Sequence, residues 1–271
     1  MTDVPPYQEI ADGIRARHLE TPLHHVTGLE VGTSEHDAAR ALRDLGFDQA
    51  PVTRDGFLIG YVFIEDLDAT SGAQVDTKLR PLAPEHIVSG ESSLGPTLRW
   101  LADRRLLFVL DGNTITGLMT PADLNKQAGR TYFFLMVAEL ELALSELIRS
   151  SFPQQSDALE ALGEARRNGV RERFADDRLR DVEADLVACL TFADVCEIAE
   201  HNAEMRSILG FDSKTRMAKQ LEPIKRLRDD VMHPVRALLT PTRSIDVLAE
   251  LDAVLRELVT RAVEPCVGTS V

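Results

Sequence analysis

The sequence predicts an α+β protein of two domains, an N-terminal α/β unit followed by an all-helical bundle. Two observations support this prediction. In the first half, helical and strand patterns alternate, and one order of elements occurs twice. After Thr120 the strand patterns stop and a series of amphipathic helical patterns follows. We therefore expect one domain over residues 1–127 and a second over 128–271, each long enough to bury its own core.

The first copy of the repeated order opens with a helical pattern at residues 34–45. Ser34 is its candidate N-cap, and Asp37 follows three residues later, as in a capping box. A turn at residues 54–56 leads into a β-branched and aromatic run over 57–64, which predicts a strand. Residues 65–67 then predict the start of a helix.

The second copy begins with a helical pattern over residues 93–102, in which Trp100 and Leu101 are expected to face the core. Two strand patterns, 106–110 and 115–119, flank a tight turn at 111–113. Pro121 is well placed in the first turn of a following helix. The two copies are offset by about 57 residues, which indicates an internal repeat.

Each copy ends in a short motif: Gly60-Tyr-Val-Phe63-Ile-Glu-Asp66 in the first and Gly117-Leu-Met-Thr120-Pro-Ala-Asp123 in the second. The second motif resembles the Gly-x-x-Thr-x-x-Asp ending of the CBS family. The resemblance covers roughly residues 20–127 and implies a tandem CBS pair that senses an adenine nucleotide (AMP, ATP or an adenosyl compound).

The resemblance implies that Thr120 and Asp123 hold the ribose and phosphate of the nucleotide, with Asp66 as the matching carboxylate of the first copy. A hydroxyl and a carboxylate suit ribose, and a helix N-terminus suits phosphate. Phe63 replaces the threonine of the first copy, so we expect little binding there. In the alternative interpretation, Thr120 and Asp123 merely cap a helix.

The second half predicts an antiparallel helical bundle. A long amphipathic helix is expected over residues 130–151, followed by helices over 155–167, 178–191, 193–209, 213–238 and 243–262. Pro223 predicts a kink or a fresh helix start within its segment. Residues 121–149 form either one rod of about 40 Å or two helices hinged at Gly129.

The most suggestive chemistry of the bundle lies in Arg228-Asp229-Asp230-Val-Met-His233-Pro234. Arg228, a polar neighbour and His233 resemble the Arg-polar-x-x-x-His motif of the HEPN superfamily, helical bundles that include many metal-independent ribonucleases. The motif lies within residues 204–243, which carry nine basic and five acidic residues and so a net charge of +4.

The resemblance implies a homodimer in which two motifs share one cleft and act on RNA. His233 would transfer a proton near neutral pH, Arg228 would hold the scissile phosphate, and Asp229 would support them. Alternatively, Arg228 pairs with a neighbouring carboxylate and His233 caps a helix end before Pro234. The helical domain would then only dimerise and dock a partner such as an antitoxin-like protein.

Composition narrows the setting in which the protein acts. The 271-residue chain has a net charge of −14, which disfavours binding of nucleic acid over its whole surface. Three cysteines without metal-ligand spacing favour a reducing, cytoplasmic compartment, and no metal site is expected. The N-terminus does not resemble a secretory signal. Glu139, Glu141 and Glu146 interrupt the longest apolar run, which excludes it as a membrane span.

Overall fold

The computed structural model describes residues 6–180 and 185–267. The described residues form eight strands: β1 Thr21–Pro22, β2 Leu29–Glu30, β3 Gln49–Arg54, β4 Phe57–Phe63, β5 Arg80–Pro81, β6 Ile87–Ser89, β7 Leu107–Asp111 and β8 Thr114–Met119. They also form ten α-helices: α1 Pro6–Asp12, α2 Glu35–Leu45, α3 Leu94–Arg104, α4 Gln127–Ser151, α5 Gln155–Ala158, α6 Glu164–Leu179, α7 Phe192–His201, α8 Ala203–Ile208, α9 Lys214–Met232 and α10 Ile245–Val267.

Two compact units are interleaved along the sequence. The α/β unit comprises Arg15–Ser92 and Asp103–Asp123, and the helical unit comprises Ser93–Ala102 with the described parts of Met1–Ile14 and Leu124–Val271. The units therefore differ from the predicted division after residue 127. Most of α3 belongs with the helices because Gly95 leaves room for Tyr132 and Arg256, where a β-carbon would lie 2.8 Å from the Tyr132 hydroxyl.

The α/β unit contains two four-stranded sheets of the same topology, which confirms the internal repeat. Their strand orders are β2-β3-β4-β5 and β6-β7-β8-β1. In each sheet the first pair is parallel and the other two pairs are antiparallel. Even the register shift recurs at the same offset, after Val52 in β3 and after Val109 in β7.

The repeated glycines have a structural cause. A β-carbon on Gly60 would lie 2.2 Å from the Arg80 carbonyl oxygen, and one on Gly117 would lie 2.7 Å from the Thr21 carbonyl oxygen. In each sheet the edge strand thus passes against the glycine of its neighbour. Any larger residue would push that strand away.

Local chemistry explains the first helix of the repeat. Ser34 caps α2 by accepting a hydrogen bond from the Asp37 amide at 3.1 Å, as predicted. Gly46 ends it in the left-handed conformation, with φ of 69°. The predicted helix start at residues 65–67 is wrong, since Ile64–Asp66 forms only one 3₁₀ turn.

In the helical unit, α4 is the central element, and α1, α7, α9 and α10 pack against it. The helix breaks at Lys126, whose ψ is 160°, so neither predicted form of residues 121–149 is correct. Gly129 lies inside α4 and allows close packing, because a β-carbon there would come within 2.3 Å of the Leu124 carbonyl oxygen.

Several helices differ from their predicted bounds. Helix α9 runs through Pro223 and ends at Met232 instead of residue 238. The predicted helix over 178–191 is wrong for its described residues, apart from the last two residues of α6 and the 3₁₀ turn Val187–Cys189. Residues 181–184 lie outside the described part. Trp100, predicted to face the core, is 43% exposed, whereas Leu101 is buried as predicted.

Candidate functional site

A pocket of about 350 Å³ opens in the α/β unit beside the end of β8. This volume is within the range of small-molecule sites. Its wall combines segments from both repeats with the stretch before β2. The lining residues are Thr21, His25, Val26, Gly46, Phe47, Asp48, Gln49, Arg105, Leu118, Thr120, Pro121, Ala122 and Asp123.

Thr120 and Asp123, both predicted site residues, lie together in this wall. The Asp123 carboxylate accepts hydrogen bonds from the Thr120 amide at 2.6 Å, the Thr120 hydroxyl at 3.0 Å and the Thr21 hydroxyl at 2.9 Å. Asp123 is buried and Thr120 is half-buried. The aspartate therefore fixes the end of β8 and orients two hydroxyl groups at the pocket.

The predicted regular helix after Thr120 is absent. Pro121–Asn125 forms a five-residue 3₁₀ segment, and α4 starts only at Gln127. The expectation of a helix N-terminus for phosphate is therefore wrong for this site. The Thr120–Asp123 hydrogen bonds match the alternative interpretation as a cap, and they coexist with the pocket that both residues line.

Phe47 contributes an aromatic surface to the pocket. The chain leaves α2 through Gly46, and the Phe47 amide donates to the Leu42 carbonyl oxygen at 2.9 Å. This termination places Phe47 outside the helix, where the side chain is 44% exposed although it lines a pocket. An exposed aromatic ring that lines the same pocket as buried Leu118 is suited to stacking on a planar ligand.

In the first repeat, Asp66 and Phe63 stand where the second repeat has Asp123 and Thr120, and both contact arginine side chains of the protein. Arg80 donates two hydrogen bonds to the Asp66 carboxylate, at 2.7 and 3.0 Å. The guanidinium groups of Arg80 and Arg105 lie 4.8 and 5.1 Å from the centre of the buried Phe63 ring. Asp66, predicted as a binding residue, does not line the pocket and is already paired.

Arg105 links the two repeats within the α/β unit. Its guanidinium donates to the Glu65 carboxylate at 3.0 Å while the residue also lines the pocket beside Thr120. The backbone of Arg105 has φ of 63°, an unusual conformation for a non-glycine residue. Sequence reasoning missed both Arg105 and Phe47, because neither belongs to the repeated motif.

The Arg228–His233 motif lies at the C-terminal end of α9. His233 is the exposed C-cap and has left helical geometry, as its position before Pro234 predicts. The Arg228 side chain is 35% exposed and lies 3.6 Å from the exposed carboxylate of Asp229. This weak surface pair leaves Arg228 able to engage another anion.

Arg228 also acts on Glu141 of α4. Burial raises the pKa of the Glu141 carboxyl, and the positive charge of Arg228 partly opposes that rise. Half-buried Glu141 thus lies near the motif and has a carboxyl that holds its proton more tightly than usual. From the sequence, Glu141 was only one of three glutamates that interrupt an apolar run.

A buried arginine, Arg130, binds the backbone around His233. The Arg130 guanidinium donates to the carbonyl oxygens of Asp230, His233 (2.8 Å) and Arg236 (2.5 Å), and Arg130 is only 6% exposed. Asp230 lies in the last turn of α9, and the other two oxygens belong to the chain just beyond the helix, where positive charge is favourable. The oxygens of Asp230 and His233 each also accept one backbone hydrogen bond, from the amides of His233 and Arg236. The Asn125 side-chain oxygen accepts from the Leu238 amide at 2.7 Å.

Asp230, the third residue of the motif, has a structural role. Its carboxylate pairs with Arg243, whose side chain is nearly buried, and with Arg236 at 3.5 Å. Together with the bonds from Arg130, these contacts fix the segment from 230 to 243. One sequence clue to Arg130 exists, since a cation in the first turn of α4 opposes the dipole of that helix and requires a partner elsewhere.

Two classes of site are not found in the described part of the chain. No group of three or more His, Cys, Asp or Glu side chains there is arranged to hold a metal ion. None of the helices in the same residues is long and apolar enough to cross a membrane.

Comparison with known proteins gives likenesses to solved structures only. No protein-family model and no curated protein matches the chain. The CBS domain of a bacterial CNNM/CorC family Mg²⁺ transporter in complex with ATP is 19% identical, with a TM-score of 0.38, over 44% of this chain and 89% of that one. CBSX2 in complex with AMP is 24% identical, with a TM-score of 0.36, over 41% and 92%.

A third structure, a hemolysin-like protein containing a CBS domain from Oenococcus oeni PSU, is 16% identical over 44% of this chain and 92% of that chain, with a TM-score of 0.38. All three likenesses thus concern less than half of the chain, at low identity.

Proposed function

We propose that the α/β unit is an adenine-nucleotide sensor whose ligand occupies the pocket beside Thr120 and Asp123 and regulates the helical unit. The pocket itself is the observation that supports this proposal. It combines an exposed aromatic ring, two threonine hydroxyls oriented by one buried carboxylate, and one arginine. Phe47 would stack on the base, the hydroxyl–carboxylate group would bind ribose, and Arg105 would face phosphate.

A route for regulation follows from the order of residues. Asn125 and Arg130 come two and seven residues after Asp123 in the sequence, and both hydrogen-bond to the segment 230–239. A ligand that shifts the backbone after Asp123 would move Asn125 and Arg130 and so change their hydrogen bonds to this segment. The typical coupling between two such sites is about 1–3 kcal/mol.

Titration calorimetry with AMP tests the binding proposal. Asp123→Asn should weaken binding by roughly 10- to 150-fold, because a charge-assisted hydrogen bond contributes about 1.5–3 kcal/mol. Asp66→Asn is the matched control, since Asp66 is paired with Arg80 outside the pocket and should change the affinity less than twofold. Failure of every adenine compound to bind wild-type protein would refute the sensor.

The second candidate function is metal-independent RNA cleavage by a homodimer of HEPN-type bundles in the cytoplasm. The exposed position of His233 at the rigidly held end of α9 favours it. An RNA 2′-hydroxyl would attack the adjacent phosphorus and give its proton to a base, and the 5′-oxygen would leave with a proton. His233 would move one of these protons, and Arg228 would balance the charge on phosphate.

The docking alternative remains a separate outcome. In that case the helical unit would dimerise and bind an antitoxin-like protein, with Arg228, Asp229 and His233 as contact residues. Nucleotide binding by the α/β unit is common to both proposals for the helical unit. The two proposals differ in whether RNA is cut.

A further inference from the structure

We infer that the pocket selects an adenine ligand with at most one phosphate and discriminates against ATP. This inference rests on the proposed nucleotide binding and specifies its ligand class. The charge distribution around the pocket is its basis. Among the described lining residues, carboxylates outnumber the permanently charged cations.

The charged lining consists of Asp48, Asp123 and Arg105, with the exposed His25 as a fourth ionisable group. Arg105 is itself paired with Glu65, so its positive charge is already compensated. Asp48, Asp123 and the paired Glu65 carry three negative charges against the one positive charge of Arg105, a sum of −2. The pocket is therefore an acidic environment with one guanidinium that can be redirected.

Arg105 can serve one phosphate group well. A guanidinium fork matches two oxygens of one phosphate, and binding would exchange the Glu65 carboxylate for the ligand. Arg80 does not line the pocket and donates two hydrogen bonds to Asp66, so it is not placed to take a second phosphate there. Further phosphates would extend toward the carboxylates without a matching cation.

The cost of those additional charges is appreciable. Like charges repel across a pocket, and each further phosphate adds at least one negative charge near the lining carboxylates. Screening over roughly 8 Å at physiological salt reduces this repulsion without removing it. We therefore expect AMP to bind at least about tenfold more tightly than ATP.

Two exposed residues allow the charge argument to be tested without disturbing the core. Asp48→Asn removes one lining carboxylate and should raise the affinity for ATP about fivefold, with adenosine changed less than twofold. Arg105→Gln should lower the affinity for AMP about tenfold and leave the affinity for adenosine nearly unchanged, because only AMP of these two ligands carries a phosphate. Circular dichroism verifies that both variants retain the fold.

The experiment is calorimetric titration of the full chain with adenosine, AMP and ATP in the presence of chelator, at low and at physiological salt. We expect the protein to bind AMP more tightly than ATP. The ratio of the two affinities should fall as the salt concentration rises, and it should also be lower in Asp48→Asn than in wild type. ATP binding as tightly as AMP, or an AMP-to-ATP ratio unchanged by Asp48→Asn, would overturn the charge selection while leaving the sensor intact. If adenosine, AMP and ATP all fail to bind, the sensor and the charge selection are both wrong.

Discussion

Replacing His233 by alanine is expected to reduce RNA cleavage by about 10²- to 10⁴-fold, the usual loss when a proton-transfer group is removed. Arg228→Ala should cause a comparable loss, because the growing charge on phosphate would lack its counter-ion. The assay uses an end-labelled single-stranded RNA pool with excess chelator, with and without AMP. The expected products carry a 2′,3′-cyclic phosphate and a 5′-hydroxyl.

His201→Ala is the matched control for that assay. His201 is also exposed at the end of a helix of the same unit, yet it lies outside the motif. The His201→Ala variant should cleave RNA at the wild-type rate. The free energy of unfolding should fall by no more than about 0.5 kcal/mol in either histidine variant. Equal cleavage by wild type and His233→Ala would show that a contaminant cuts the RNA. Absence of cleavage under every ligand condition would favour the docking protein.

Replacing Arg130 by methionine should have the largest effect on stability. The change removes a buried guanidinium and leaves the carbonyl oxygens of Asp230, His233 and Arg236 without that donor. The oxygens of Asp230 and His233 keep one backbone donor each, so the cost comes mainly from the lost hydrogen bonds to a charged group. Such bonds contribute about 1.5–3 kcal/mol each, and part of the loss is recovered where the segment turns toward water. We expect the free energy of unfolding to fall by about 2–4 kcal/mol.

Urea denaturation measures the Arg130 effect, and amide hydrogen exchange locates it. Exchange should accelerate over residues 230–239, the segment held by Arg130 and Asn125. Arg226→Met is the control, because the Arg226 side chain is 72% exposed and pairs with Glu222 one turn earlier on the same helix. If Arg130→Met unfolds at the same urea concentration as wild type, the bonds from Arg130 do not hold this segment.

The sequence predicts the repeated part of the fold well, because the same physical requirement appears twice. Gly60 and Gly117 both face a crossing strand, and one offset relates both hairpins. Thr120 and Asp123 could be predicted as neighbours because they lie three residues apart around one turn. Their joint pocket with Phe47 and Arg105 could not, because residues far apart in the sequence meet there only through the tertiary fold.

The helical half was harder to predict, since amphipathic periodicity does not fix where a helix ends. The chain leaves helical geometry at Lys126, and α9 ends just before Pro234 although the apolar pattern continues to residue 238. Arg130 and Asn125 hold the segment after α9, and no local pattern indicates those contacts. Trp100 was placed in the core from its hydrophobicity, although large aromatic residues are often only partly covered. The interleaving of the two units also follows from packing, which no local pattern records.

A crystal structure of the full chain grown with saturating AMP would show directly whether this pocket binds the nucleotide. We expect density for the base against Phe47, for the ribose beside Thr120 and for the single phosphate at Arg105, with the Arg105–Glu65 pair opened. The Phe63 side of the first repeat should hold no nucleotide. A pocket that stays unchanged at saturating AMP, or a nucleotide bound at another surface, would show that Thr120 and Asp123 do not form the nucleotide site.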